Sequence, residues 1–143
     1  MSVLSSKRSV SHVEFLKVLS ELQTDVMKWA TSQSPKYKDF GIKKLYDYVE
    51  NAFALSYEAN NNYPNAVEVI EYRIERFKRA IVLLHGFNAQ ITTVNNVIKI
   101  SNKKTKRWCN YSERAIKLLN GIIRSDKAKL QKLKEEIEND ELE

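Results

Sequence analysis

Residues that make turns and cross-links are scarce in this chain. Its 143 residues include three glycines, two prolines and one cysteine. So little glycine and proline leaves too few tight turns for a many-stranded sheet, and it suits helices joined by short loops. The single Cys109 excludes an internal disulfide and points to a reducing, cytoplasmic setting. No apolar run approaches the roughly 18 residues of a membrane span. Lys7 and Arg8 are not followed by an apolar block, so residues 1–10 are expected to be a short disordered tail, not a signal peptide. His12, His85 and Cys109 are too few for the usual zinc sites, and neither a glycine-rich phosphate loop nor a nucleophile elbow is present. The expectation is a protein that is not an enzyme and that carries no cofactor. Cys109, lying among cations on a helix, reads as a small packing residue.

What the chain does have is apolar periodicity. From Asn65 to Lys99, Val67, Ile70, Ile74, Phe77, Ile81, Leu84, Ile91, Val94 and Ile98 recur at steps of three and four, interrupted only at Asn88. This is one stripe on one face of a long helix. Pro64 stands at its start, and Gly86 inside it marks a bend, a close approach of a neighbour or a true break. Three shorter patterns surround this spine. Ser11 and Glu14 have the spacing of a capping box, followed by Phe15, Leu19, Leu22, Val26 and Trp29 up to about Thr31. A second helix is expected to open near Asp39, after a loop holding Pro35. Its inner side would be Ile42, Leu45, Tyr48, Val49, Ala52, Leu55 and Ala59. Asn60, Asn61 and Asn62 would end it, through left-handed angles and side-chain competition for backbone hydrogen bonds. Ser101 would cap the fourth helix, with Trp108, Tyr111, Ala115, Leu118, Leu119, Ile122 and Ile123 as its apolar set. The predicted fold is all-α, an antiparallel up-down-up-down four-helix bundle over residues 11–125. Residues 126–143 are expected to form a charged extension, helical or frayed.

Charge is the strongest functional signal. The net charge is +6, distributed unevenly. Ser101–Lys134 carries eleven cations against Glu113 and Asp126, whereas the last nine residues carry six acids and no cation. So large an excess repels itself unless a polyanion or an acidic partner offsets it. Lys103, Lys104, Lys106 and Arg107 precede Trp108 and Tyr111. Cations beside aromatics suit phosphate contacts with base stacking, although both rings also fall on the helix 4 core stripe. A second cluster, Lys36, Lys38, Lys43 and Lys44, surrounds the start of helix 2, where exposed N–H groups favour phosphate. Arg73, Arg76, Lys78 and Arg79, mixed with Glu71 and Glu75, read equally as ion pairs or as a binding face. The acidic end is either a solubilising tail or a mimic of the polyanion that competes for the basic surface. Arg79 and His85 also have the Arg-x5-His spacing that resembles the motif of the HEPN ribonucleases. On a regular helix, however, six residues turn by about 240°, so the two side chains diverge.

Beyond these patterns, the chain from Leu19 to Ser125 resembles a family of small four-helix bundles. That family comprises the 23S ribosomal RNA intervening-sequence proteins and the accessory variability determinants of diversity-generating retroelements. The resemblance rests on Trp29 near the end of helix 1 and on the loop Ser34-Pro35-Lys36-Tyr37-Lys38-Asp39-Phe40-Gly41. It rests also on Leu45, Val49 and the Ala59-Asn60 end of helix 2, and on Leu119-Asn120-Gly121-Ile122, where the family has Leu-x-Gly-Trp. The resemblance implies a non-catalytic, ring-shaped homopentamer that binds nucleic acid and the element's reverse transcriptase, assisting the copying of template RNA into cDNA. Carried onto this chain, the phosphate-contacting candidates are Lys36, Lys38, Lys43, Lys44, Lys103, Lys104, Lys106, Arg107, Arg114 and Lys117. An alternative is a bundle that binds an acidic protein partner and never touches nucleic acid.

Overall fold

Each three-and-four apolar pattern forms a helix. The computed structural model describes residues 3–37 and 41–142, with side chains from residue 14 onward. The helices are α1 (Val3–Thr31), α2 (Lys43–Asn60), α3 (Val67–Asn95) and α4 (Asn102–Leu142), with a single 3-10 turn at Pro35–Tyr37. Each helix packs on its neighbour in sequence, and α1 also packs on α4, consistent with a four-helix bundle. Among the described residues no helix is long and apolar enough to cross a membrane. Phe15, Leu19, Leu22, Val26 and Trp29 of α1 are all buried, as the spacing predicts.

Several boundaries differ from expectation. The backbone of α1 is already helical at Val3, so residues 3–10 belong to it and Ser11 is interior, not a cap. Lys38 and Asp39, the latter expected as the cap of α2, lie outside the described residues. No residue other than glycine among those described has positive φ, and Asn61 is right-handed at φ −74°. Hence α2 ends without a left-handed residue: the Asn62 side-chain amide donates to the Glu58 carbonyl at 2.9 Å, beside a backbone turn in which the Asn62 N–H donates to the Ala59 carbonyl at 3.1 Å. Ser101 does cap α4, accepting the Lys104 N–H at 3.2 Å. No break falls at Ser125. Asp126 is buried and Leu130 and Leu133 pack on the core, so the bundle extends well into the expected extension.

The spine is a single helix that passes through Gly86 without a break, and it stops at Asn95, leaving Ile98 in the following turn. Gly86 marks a close approach: a Cβ there would lie 2.6 Å from a ring carbon of Tyr48 on α2. The buried stripe also drifts from the predicted line. Its interior runs through Ile70, Arg73, Ile74, Phe77, Ala80, Leu84, Phe87, Ile91 and Val94. Phe87 fills the turn where Asn88 had interrupted the pattern, and Ile81 moves to the edge. A straight helix drifts against a strict repeat of seven, which accounts for the shift.

For Arg73 the ion-pair alternative holds, and in the interior: the residue is 1% exposed. Its Nε donates to Asp126 Oδ2 at 2.8 Å, and Nη1 donates to the carbonyls of Ala59 at 3.1 Å and Asn62 at 2.6 Å. Its guanidinium also lies 5.3 Å from the Phe77 ring centroid. One side chain therefore ties α3 to α4 and holds the carbonyls of Ala59 and Asn62 at the end of α2.

Candidate functional site at the basic end of the bundle

The two lysine clusters, about sixty residues apart in sequence, meet at one end of the molecule. The junction is between the turn before α2 and the turn after α3. Gly41, at φ +152°, sits so near α3 that a Cβ would lie 3.3 Å from Val94 Cγ2. Around that contact lies an open groove of about 550 Å³ lined by Lys36, Tyr37, Gly41, Thr93, Val94, Val97 and Ile98. Val97 is 74% exposed. Lys43 and Lys44 occupy the exposed first turn of α2, and Lys103 and Lys104 the first turn of α4. Neither turn carries an acid. At α4 the lysines oppose the helix macrodipole, a small local destabilisation that Ser101 offsets by capping the Lys104 N–H.

A single carboxylate organises the inner edge of this end. Asp25 Oδ2 accepts the Trp108 indole N–H at 2.7 Å and Arg107 Nη2 at 2.7 Å, with Arg107 Nε at 3.0 Å. Burial disfavours the Asp25 carboxylate, but the hydrogen bonds of Trp108 and Arg107 and the charges of Arg107 and Lys104 outweigh it. The net effect holds the Asp25 pKa below the ordinary value. Trp108 packs edge-on against Trp29 with centroids 5.5 Å apart. It is fully buried, so it belongs to the core and offers no face to a base; Tyr111 is half-buried against the same core. Tyr37 takes the aromatic place at this end, with Lys36 Nζ 4.9 Å from its ring centroid.

The predicted phosphate contacts therefore separate into groups. Lys36, Lys43, Lys44, Lys103, Lys104 and Lys106 share the basic end; Lys104 is half-buried and the others are exposed. Arg107 lies there too but is held by Asp25, which makes it a framework residue. Arg114 and Lys117 lie on the flank of α4, at least about 10 Å further along the axis, and Arg114 is paired with Glu14 of α1. Lys38 is outside the described residues. The sequence patterns missed Lys28, in the last turn of α1, and Lys99, in the turn before α4. Both reach this end through the order of the helices, and the ends of predicted helices were the signal that could have found them. Between residues 25–47 and 95–110, the described acids are Asp25 and Asp47.

The remaining candidates disperse. Arg79 and His85 are both exposed on one unbroken helix, and Arg79 lies 4.0 Å from Glu75. Cys109 is half-buried, and burial, followed by the charge of Glu113, pushes its thiol pKa up, away from a reactive thiolate. No group of three or more His, Cys, Asp or Glu among the described residues is arranged to hold a metal ion. The acidic stretch cannot reach the basic end of its own chain, because α4 is one helix and Lys103 and Asp140 are about 55 Å apart along it. Comparison with known proteins finds no matching family model, no similar curated protein and no similar solved structure.

Proposed function

We propose that this chain is a non-catalytic nucleic-acid-binding adaptor whose basic end grips phosphates. One observation carries the reading. Two lysine clusters distant in sequence converge on one surface, and the acid at its inner edge is already engaged by Arg107 and Trp108. Such a surface attracts a polyanion wherever its phosphates fall and reads no sequence, which suits a helper of another enzyme's chemistry. The family resemblance extends the proposal. In that reading the fold is an antiparallel up-down-up-down bundle, assembled as a cytoplasmic homopentamer. It would bind the reverse transcriptase of a diversity-generating retroelement together with template RNA or cDNA. The pairing of Asp25 with Arg107 and of Glu14 with Arg114 supports opposite directions for α1 and α4.

Binding of labelled single-stranded RNA and DNA across a salt series tests the reading. Each phosphate contact contributes a log–log slope of about −0.7 on a single strand. Replacing Lys43, Lys44, Lys103 and Lys106 together by Gln is expected to weaken binding more than tenfold and to flatten the slope by about 3. Affinity that stays millimolar at low salt would overturn it. Recovery of a reverse transcriptase with the tagged protein tests the extension separately.

A further inference from the structure

We propose that the basic end of one chain receives the acidic last turns of α4 from a second copy of this chain, giving a head-to-tail assembly. Val94, Val97 and Ile98 give the receiving groove an apolar lining. Lys36 lines it too, and Lys99 and Lys43 lie within two residues of its lining. The occupant has the complementary character. Beyond Leu133, α4 exposes Glu135, Glu136, Glu138, Asp140 and Glu141, together with Ile137 at 48% and Leu142 at 86% exposure. The acidic turns of α4 and the basic end of the molecule therefore carry opposite charge excesses. Docking one on the other pairs these excesses and covers apolar surface on each side. The contact must form between chains, because a continuous α4 holds its own acidic end far from its own basic end. Such an interface is heterologous, so copies add one to the next and close into a ring where the rotation between them allows.

Sedimentation of full-length protein freed of nucleic acid tests this. At about 0.01 M salt, where charges act over about 30 Å, the mass is expected to grow with protein concentration. At about 1 M salt, where the range is about 3 Å, the protein is expected to return to its smallest unit. One variant replaces Glu135, Glu136, Glu138 and Glu141 by Gln and Asp140 by Asn; a second carries Lys36→Glu, Lys43→Glu and Val97→Asp. Neither variant is expected to grow alone at low salt, while their mixture forms pairs, since one retains the basic end and the other the acidic end. Growth of the acid-neutralised variant like wild type, or failure of two folded variants to pair when mixed, overturns the proposal. Nucleic-acid binding by the acid-neutralised variant stays at least as tight as wild type, so this result and the phosphate-binding reading succeed or fail separately.

Discussion

The two ends of the bundle handle positive charge in opposite ways. At the α2–α3 turn, Arg73 is buried, and its guanidinium is divided between the Asp126 carboxylate and two backbone carbonyls. At the other end, Lys36, Lys43, Lys44, Lys103 and Lys106 stand in water, with Asp25 already engaged by its own pair. A buried charge must be fully paired to exist at all, so Arg73 is a structural residue. An exposed excess has no such obligation and remains free for a partner. Ion pairs of similar length, 2.8 Å for Arg73–Asp126 and 2.7 Å for Arg107–Asp25, therefore mean different things according to burial.

This contrast predicts a ranking. Asp126→Ala leaves Arg73 charged and partly unpaired in the interior, and is expected to lower stability in urea denaturation by about 3–5 kcal/mol. A loss below about 1 kcal/mol would place Arg73 with the surface cations. Asp25→Asn weakens the contacts to Arg107 and Trp108. The expected loss is smaller, about 1–2 kcal/mol, because the Arg107 side chain is 41% exposed. The same variant has a pH signature. A carboxyl whose folded pKa is depressed adds stability that is present above its unfolded value, about 3.9, and is lost as pH falls through the lower folded value. Wild type is therefore expected to lose stability below about pH 4 more steeply than Asp25→Asn, as thermal melts across that range would show.

Exposed cations should behave in the reverse sense. Lys43→Gln with Lys103→Gln is expected to weaken nucleic-acid binding while leaving stability unchanged or raising it by a few tenths of a kcal/mol, since both are exposed and Lys103 opposes the α4 dipole. A loss of several kcal/mol would show that the basic end is held together by those side chains. The glycines give the smallest contrast. Gly121 is exposed on α4 with open space where a Cβ would stand, so Gly121→Ala is expected to gain about 0.5–1 kcal/mol. Gly86→Ala forfeits that gain because Tyr48 must move, and adding Tyr48→Ala should restore part of the helix-propensity gain at Gly86 in a double-mutant cycle.

Much of the fold was legible because helix periodicity is a local property. The α1 stripe, the Ser101 cap and the packing role of Trp108 followed from spacing and side-chain type. Phe87 was missed because a fixed three-and-four line does not follow the drift of a long helix against its neighbours. The ion-pair reading of Arg73, Arg76, Lys78 and Arg79 did not single out Arg73 as buried, because nothing in the run distinguishes the cation that faces Asp126, fifty-three residues away. The N-terminal boundary was misplaced because Ser11 and Glu14 have capping spacing, yet the helix continues through them and Glu14 pairs with Arg114 instead.

By itself the sequence determined four helices, their apolar faces and a strong division of charge along the chain, since each depends on residues within a few turns of one another. Only the tertiary structure decided which charges are buried and which remain open. It brought Lys43 and Lys103 to one end, placed Arg73 inside, and held the acidic turns of α4 away from the basic surface of the same chain. The reason is physical: periodicity acts over a few residues, whereas burial and charge partnership depend on which helix ends the packing brings together.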